Sequence, residues 1–240
     1  MKKILAVVLA LTLTLAVCAI AVAEGAVSYA DYVAAAIDDE VTIEACVQAH
    51  QSWWDGKVTI YAADEDGAYF LYEVPCSEED AEKLVPGTRF VATGFKSEWS
   101  GEVELADISA FELIEGDAYI AEPVDVTDLL GTDGMIEKMN QKVAFKGMTV
   151  EASKIEGDDA DYPFLYNWDG SGEEGNDLYF NVSKDGTTYT FTVESYLCGP
   201  GTDVYEAVKA LNVGDVVDLE GFLYWYNGVN PHITAVAAAE

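Results

Sequence analysis

Two stretches of this chain repeat one another without a gap. Residues 85–101 read VPGTRFVATGFKSEWSG and residues 213–228 read VGDVVDLEGFLYWYNG, so Gly87, Gly94, Phe95 and Gly101 fall on Gly214, Gly221, Phe222 and Gly228. A hairpin signal precedes each stretch: YAADEDGAYFLYEV in the first copy and FNVSKDGTTYTFTV in the second. Asp-Gly between alternating apolar residues is a turn that folds two strands together. A cysteine (Cys76, Cys198) and a short helical pattern then lead into the repeated block. Hairpin, helix and Gly-punctuated hairpin in the same order twice imply two copies of one small β-rich module. Neither copy has the long strand–helix alternation that a parallel sheet needs.

Along the chain, Ser28–Asp38 suits a short helix with Ser28 as its cap, and Val41–Ala49 alternates as a strand. Strands follow at Val58–Ala62 and Ala68–Val74, a helix with a capping box at Ser77–Val85, and strands at Arg89–Phe95 and Val103–Leu113. The second copy opens on a helical pattern, Val126–Asn140. It continues with strands at Val143–Ala152, Leu178–Ser183 and Thr187–Tyr196, a helix at Asp203–Leu211, and strands at Val216–Trp225 and His232–Ala238. Both copies therefore read βββαββ behind an N-terminal helix.

The first 23 residues read as a leader. Lys2 and Lys3 precede an almost wholly apolar run, and Ala21-Val22-Ala23 is a small-x-small cleavage site, the pattern of a secretory signal peptide removed after Ala23. Export to the extracellular space or cell envelope follows, with no membrane-spanning segment left after cleavage. A membrane anchor is the alternative for the apolar run, and lipidation at Cys18 is a further, minor one. That segment holds two of the 12 Lys+Arg and none of the 44 Asp+Glu, so the remainder carries a net charge of −34. Such a surface repels phosphate backbones and sets nucleic acid against it as a partner. Hydrophobic content of 50% and aromatic content of 12% place the chain among packed proteins despite that charge. Of the three remaining cysteines, Cys46 and Cys76 lie in one copy and are either bridged or, like Cys198, buried free thiols.

A five-stranded module whose internal helix sits between strands 3 and 4 resembles the OB-fold, a Greek-key barrel. SYADYVAAAIDDEVTIEACV, a helix, an acidic turn and a Val-Thr-Ile-Glu strand, is similar to tandem OB-fold modules of exported bacterial proteins. Repeat 2 keeps a glycine, Gly147, in its first strand, where repeat 1 has Ala45-Cys46. The resemblance implies an all-β chain with short helices. Its two OB-like barrels would span 24–116 and 124–240, joined by a linker at 117–123, with a long acidic loop at 154–177. A ten-stranded β-sandwich is the structural alternative.

OB-folds bind through the outer face of strands 2 and 3 and through the 1–2 and 4–5 loops. On that pattern the candidate ligand residues are Trp53, Trp54 and Asp55 in the first 1–2 loop, Tyr61 on strand 2 and Trp99 in the first 4–5 loop. Trp168 in the long loop and Trp225 in the second 4–5 loop complete the set. Trp53, Trp54 and Trp99 are expected to act together as platforms, with Asp55 as a polar anchor. Packing at barrel ends or between the repeats is the alternative for each aromatic. Asp158, Asp159, Asp161, Asp169, Glu173 and Asp177 offer carboxylates on a Gly-rich loop, the ligand type Ca²⁺ takes, with a solvated acidic loop as the alternative. His50 and His232 have no metal-ligand neighbours in sequence, and no nucleophile elbow, HExxH or phosphate loop is present. The reading is a non-catalytic extracellular binding or adaptor protein. Its expected ligand is a glycan or small organic molecule. Single-stranded nucleic acid and a protein-docking surface are the alternatives.

Overall fold

The computed structural model describes residues 25–239; the expected signal peptide and Cys18 lie outside them. α1 (Tyr29–Ala34) starts where the Ser28 hydroxyl accepts the Asp31 amide. Its C-terminal carbonyls are closed by Lys96, whose ammonium donates to Tyr32, Val33 and Ala35. β1 (Glu40–His50), β2 (Lys57–Ala63), β3 (Ala68–Pro75), α2 (Glu78–Ala81), β4 (Arg89–Trp99) and β5 (Glu102–Leu113) follow. They close into a barrel in the order β1-β2-β3-β5-β4, with the β3–β5 contact parallel at Leu71 and Leu105. Asp64 Oδ1 accepts the Asp66 and Gly67 amides, so the acidic hairpin turn is folded by its own first carboxylate.

The second copy repeats this closure. β6 (Val124–Asp125) leads into β7 (Lys142–Glu151), β8 (Leu165–Tyr166), β9 (Leu178–Lys184), β10 (Thr187–Val193), α3 (Asp203–Lys209), β11 (Val216–Phe222) and β12 (His232–Ala238). Five of these strands ring a second core, because β7 pairs with both β11 and β9 while β10 meets β12 in parallel. The β9–β10 turn has positive φ at Asp185 and Gly186, the type I′ geometry that matches strand twist. The chain is thus two tandem OB-like barrels, and the sandwich alternative is excluded by closure of both sheets.

The repeated glycines now have physical reasons. Gly94 and Gly221 stand at strand irregularities opposite the last strand of each barrel. A Cβ at Gly94 would lie 2.7 Å from the Ala106 carbonyl oxygen, and one at Gly221 would strike that of His232. Gly87 and Gly214 enter the fourth strand at φ +90° and +95°, which only glycine adopts without strain.

One expectation changes, and the structure adds detail to two others. The helical pattern at 126–140 is realised as two 3₁₀ turns, Thr127–Leu129 and Asp133–Lys138, with Gly131 and Gly134 interrupting any longer helix. The 117–123 linker is not loose. Gln48 Nε2 donates to the Tyr119 carbonyl and its Oε1 accepts the Ala121 amide, which pins the linker along β1. Cys46 and Cys76 are free thiols. Neighbouring strand residues face opposite ways, and Ala45 and Val47 take the core positions of β1 while Cys46 lies under the linker at Asp117. Cys76 packs against the core itself.

Candidate binding face

The barrels do not hang apart. The outer face of β2 and β3, which carries Tyr61 and Phe70, is covered by Phe222, Tyr224 and His232 of the second barrel. Tyr61 stacks on Phe222 at 4.6 Å, Phe70 lies 5.2 Å from Tyr224, and the Tyr61 hydroxyl is 2.6 Å from His232 Nδ1. Burial pushes the His232 imidazole down to about 3, so the ring is neutral in this seam. Polar bonds stitch its edges: Ser52 N to Tyr196 O (2.6 Å), Asn227 N to Ser100 O (2.7 Å), Asn140 Nδ2 to Val103 O (3.0 Å) and Trp225 N to Glu102 Oε2 (2.8 Å).

The equivalent face of the second barrel is open. Tyr179 on β9 and Thr190 on β10 form its floor. Tyr224, Tyr226, Val229 and Asn230 come from the β11–β12 loop, His232 starts β12, and Trp168 overhangs from the long loop. Together they bound a cleft of about 750 Å³. None of its lining residues is a Lys or Arg, and five are aromatic rings. Hydroxyls and amides supply the polar contacts, with Thr190 Oγ1 donating to Asn181 and Thr192 Oγ1 donating to Asn230.

Trp-Asp-Gly recurs in both 1–2 loops because it is turn grammar that leaves a tryptophan at the tip. Asp55 and Gly56 take positive φ after Trp54, and Asp169 folds onto the Ser171 amide before Gly170 at φ +76°. Trp54 is 72% exposed and Trp168 76%. Trp54 overlooks a smaller recess of about 250 Å³ with Tyr72 and Tyr196, while Trp53 donates Nε1–H to the Cys76 carbonyl.

The expected grouping of Trp53, Trp54 and Trp99 is not what the fold brings together. Trp99 packs on Tyr226 at 5.2 Å, beside the second barrel's cleft, and does not line the Trp54 recess. Trp225 faces Gly101 across the seam, where a Cβ would lie 2.8 Å from its ring. Tyr61 is 1% exposed and packs in the seam, the interface role weighed for it as the alternative. Tyr179 was missed by sequence reasoning; its place on the outer face of the second strand is the signal that finds it.

The acidic loop does not gather its carboxylates. Asp158 accepts the Ala160 amide and the Tyr162 hydroxyl, and Asp161 pairs with Lys154 at 2.7 Å. Asp169 accepts Ser171 N, and Asp177 Oδ1 takes the Ser195 amide and hydroxyl. Asp159 and Glu173 are exposed, and the Tyr205 hydroxyl ties the loop by donating to Asn176 O and accepting Gly175 N. Among the described residues, no group of three His, Cys, Asp or Glu is placed to hold a metal ion.

No protein-family model matches the chain, and no curated protein matches it. Solved structures do. The p204 HINb domain is 11% identical at a TM-score of 0.40, covering 85% of this chain and 100% of that one. A murine DNA-binding protein bound with double-stranded DNA is 14% identical at 0.37, covering 83% and 96%. A deletion mutant of the single-stranded DNA-binding protein from Thermus aquaticus is 11% identical at 0.24, covering 84% and 94%. The expectation of an extracellular glycan or small-molecule partner, with nucleic acid set against it, is corrected here: the similar structures include a protein bound with double-stranded DNA and a single-stranded DNA-binding protein.

Proposed function

We propose that this chain is an exported, non-catalytic binding module that works through the cleft of the second barrel, where flat rings stack. One observation carries the reading: of the two strand 2–3 faces, one is consumed by barrel–barrel packing and the other is open and aromatic. The Lys2-Lys3 start, apolar run and Ala21-x-Ala23 site support export.

The first reading of the ligand is the unpaired bases of a single-stranded nucleic acid. The aromatics stand on the face and loops through which OB barrels take oligonucleotides, and each base offers a ring to Trp168 or Tyr226. Stacking would carry this binding without phosphate neutralisation, because no cation lines the cleft. Added salt should therefore tighten binding by screening the protein's charge, the reverse of the usual slope. The second reading is docking of a cationic protein segment, favoured by the net charge of −34 beyond Ala23.

Fluorescence titration with a deoxythymidine oligonucleotide and with a Lys/Tyr-rich peptide, at low and high salt, separates the two. Saturable oligonucleotide binding that strengthens with salt supports the first. Peptide binding that weakens with salt, with no oligonucleotide binding, replaces it by the second. No binding of either in the cleft sinks both.

A further inference from the structure

The seam between the barrels buries acids with nothing positive to meet them. Glu102 and Glu104 point outward from β5 into it, and Glu194 closes it after β10. Glu102 is 0% exposed, and only its Oε2 is satisfied, by the Trp225 amide of the other barrel. Its Oε1 has no donor. Asn140 donates Nδ2–H to the Val103 carbonyl and hydrogen-bonds the Glu102 carboxyl, yet its own Oδ1 has no donor either. Two neighbouring side chains thus each hold a buried acceptor that lacks a hydrogen.

We infer that Glu102 is a neutral acid whose proton bridges Oε1 to Asn140 Oδ1, and that this proton latches the second barrel over the first barrel's strand 2–3 face. The titratable groups facing Glu102 come from every side: Glu104 on its own strand, Tyr61 on β2, Tyr32 on α1 and Tyr224 on the second barrel. Trp99, its cross-strand neighbour on β4, carries no charge. All the titratable neighbours are acids, and none can balance a carboxylate. Burial accordingly pushes Glu102 up to about 8 and Glu104 and Glu194 to about 7.

When the Oε1 proton leaves for solvent, an unpaired anion remains beside Glu104. Water reaches it only if the seam parts. Parting uncovers Tyr61 and Phe70 and displaces Tyr224 and His232, which also wall the open cleft. The latch would therefore close one face and shape the other. It does not depend on what the cleft takes, so its failure and that of the binding proposal are distinguishable.

The test is hydrogen exchange at the Trp225 amide, corrected for the intrinsic rate, with small-angle scattering of the same samples from about pH 6 to about pH 9. In the unmodified chain, Trp225 protection should fall at least about tenfold and the radius of gyration should rise. Glu102→Gln should abolish the part of both changes centred near pH 8, because its carbonyl still accepts Trp225 N and its amide donates to Asn140 Oδ1. It should leave only the smaller loss that Glu104 and Glu194 bring near pH 7. Constant protection in the unmodified chain, or an equal loss in Glu102→Gln, overturns the latch. Should that variant not fold, infrared spectra of the unmodified chain decide. A neutral-carboxyl band that titrates away near pH 8 supports the latch, and its absence at neutral pH refutes it.

Discussion

Trp168 and Trp225 are one residue type in two loops of one barrel, and their surroundings give them different roles. Trp168 stands in solvent over the cleft, whereas Trp225 fills space against Gly101 and presents its amide to Glu102. Trp168→Ala should weaken oligonucleotide binding by about 1–3 kcal/mol, the range for a stacking platform, while the melting temperature stays nearly constant. Trp225→Ala should do the opposite. It leaves a hole in the seam and costs about 3 kcal/mol in urea unfolding, at the low end for a large aromatic because the ring is only partly buried. Gly221→Ala drives a methyl into the His232 backbone and should lower stability by about 1–3 kcal/mol in the same assay. The glycine was legible from the repeat alone. The difference between the two tryptophans was not, because the second barrel's approach to the first is a long-range contact that no local pattern records.

At the scale of the strand, the repeat supplies its own control. Phe95 and Phe222 occupy the same position in β4 and β11, yet Phe95 is 39% exposed and Phe222 4%. Phe222→Ala should therefore cost about 3–5 kcal/mol and Phe95→Ala well under half of that, read from denaturant midpoints of the two variants. The succession of strands along the chain, the hairpins and the helix caps were legible because they depend on neighbours in sequence: Ser28 on Asp31, Asp64 on Gly67, Ser77 on Asp80. The 126–140 segment misled because its apolar spacing suits a helix while Gly131 and Gly134 break one. The seam acids were invisible for a related reason. Glu102 and Glu104 alternate with Val103 and Leu105 as an ordinary solvent-facing edge would, and only the second barrel turns that edge inward.

For the whole molecule, buried titration sets how stability follows pH. Glu102, Glu104 and Glu194 hold protons in the folded state well above the ordinary glutamate value. Their stabilisation is complete below about pH 4.5 and is lost as pH rises through about 7 to 8. His232 acts with the opposite sign: the unfolded ring takes up a proton that the buried one refuses, so its contribution falls as pH drops below about 6.5. Three acids outweigh one imidazole, so the urea midpoint should be higher at pH 5.5 than at pH 8.5. An equal or higher midpoint at pH 8.5 would show that the seam holds ionised carboxylates comfortably.

The barrels meet face to back, a heterologous contact, and such contacts in principle propagate from one copy to the next as open filaments. The open face of the second barrel is the growing end of such a series, and the Phe95 side of another chain's first barrel is the piece that would have to add to it. Ser97 and Glu98 stand there where the second barrel has Tyr224 and Trp225, so the aromatic plug is missing from the part that would dock. Like charge on every copy opposes the approach as well. The series therefore stops at two modules with the second barrel's face uncovered, and sedimentation at high protein concentration should find the chain a monomer.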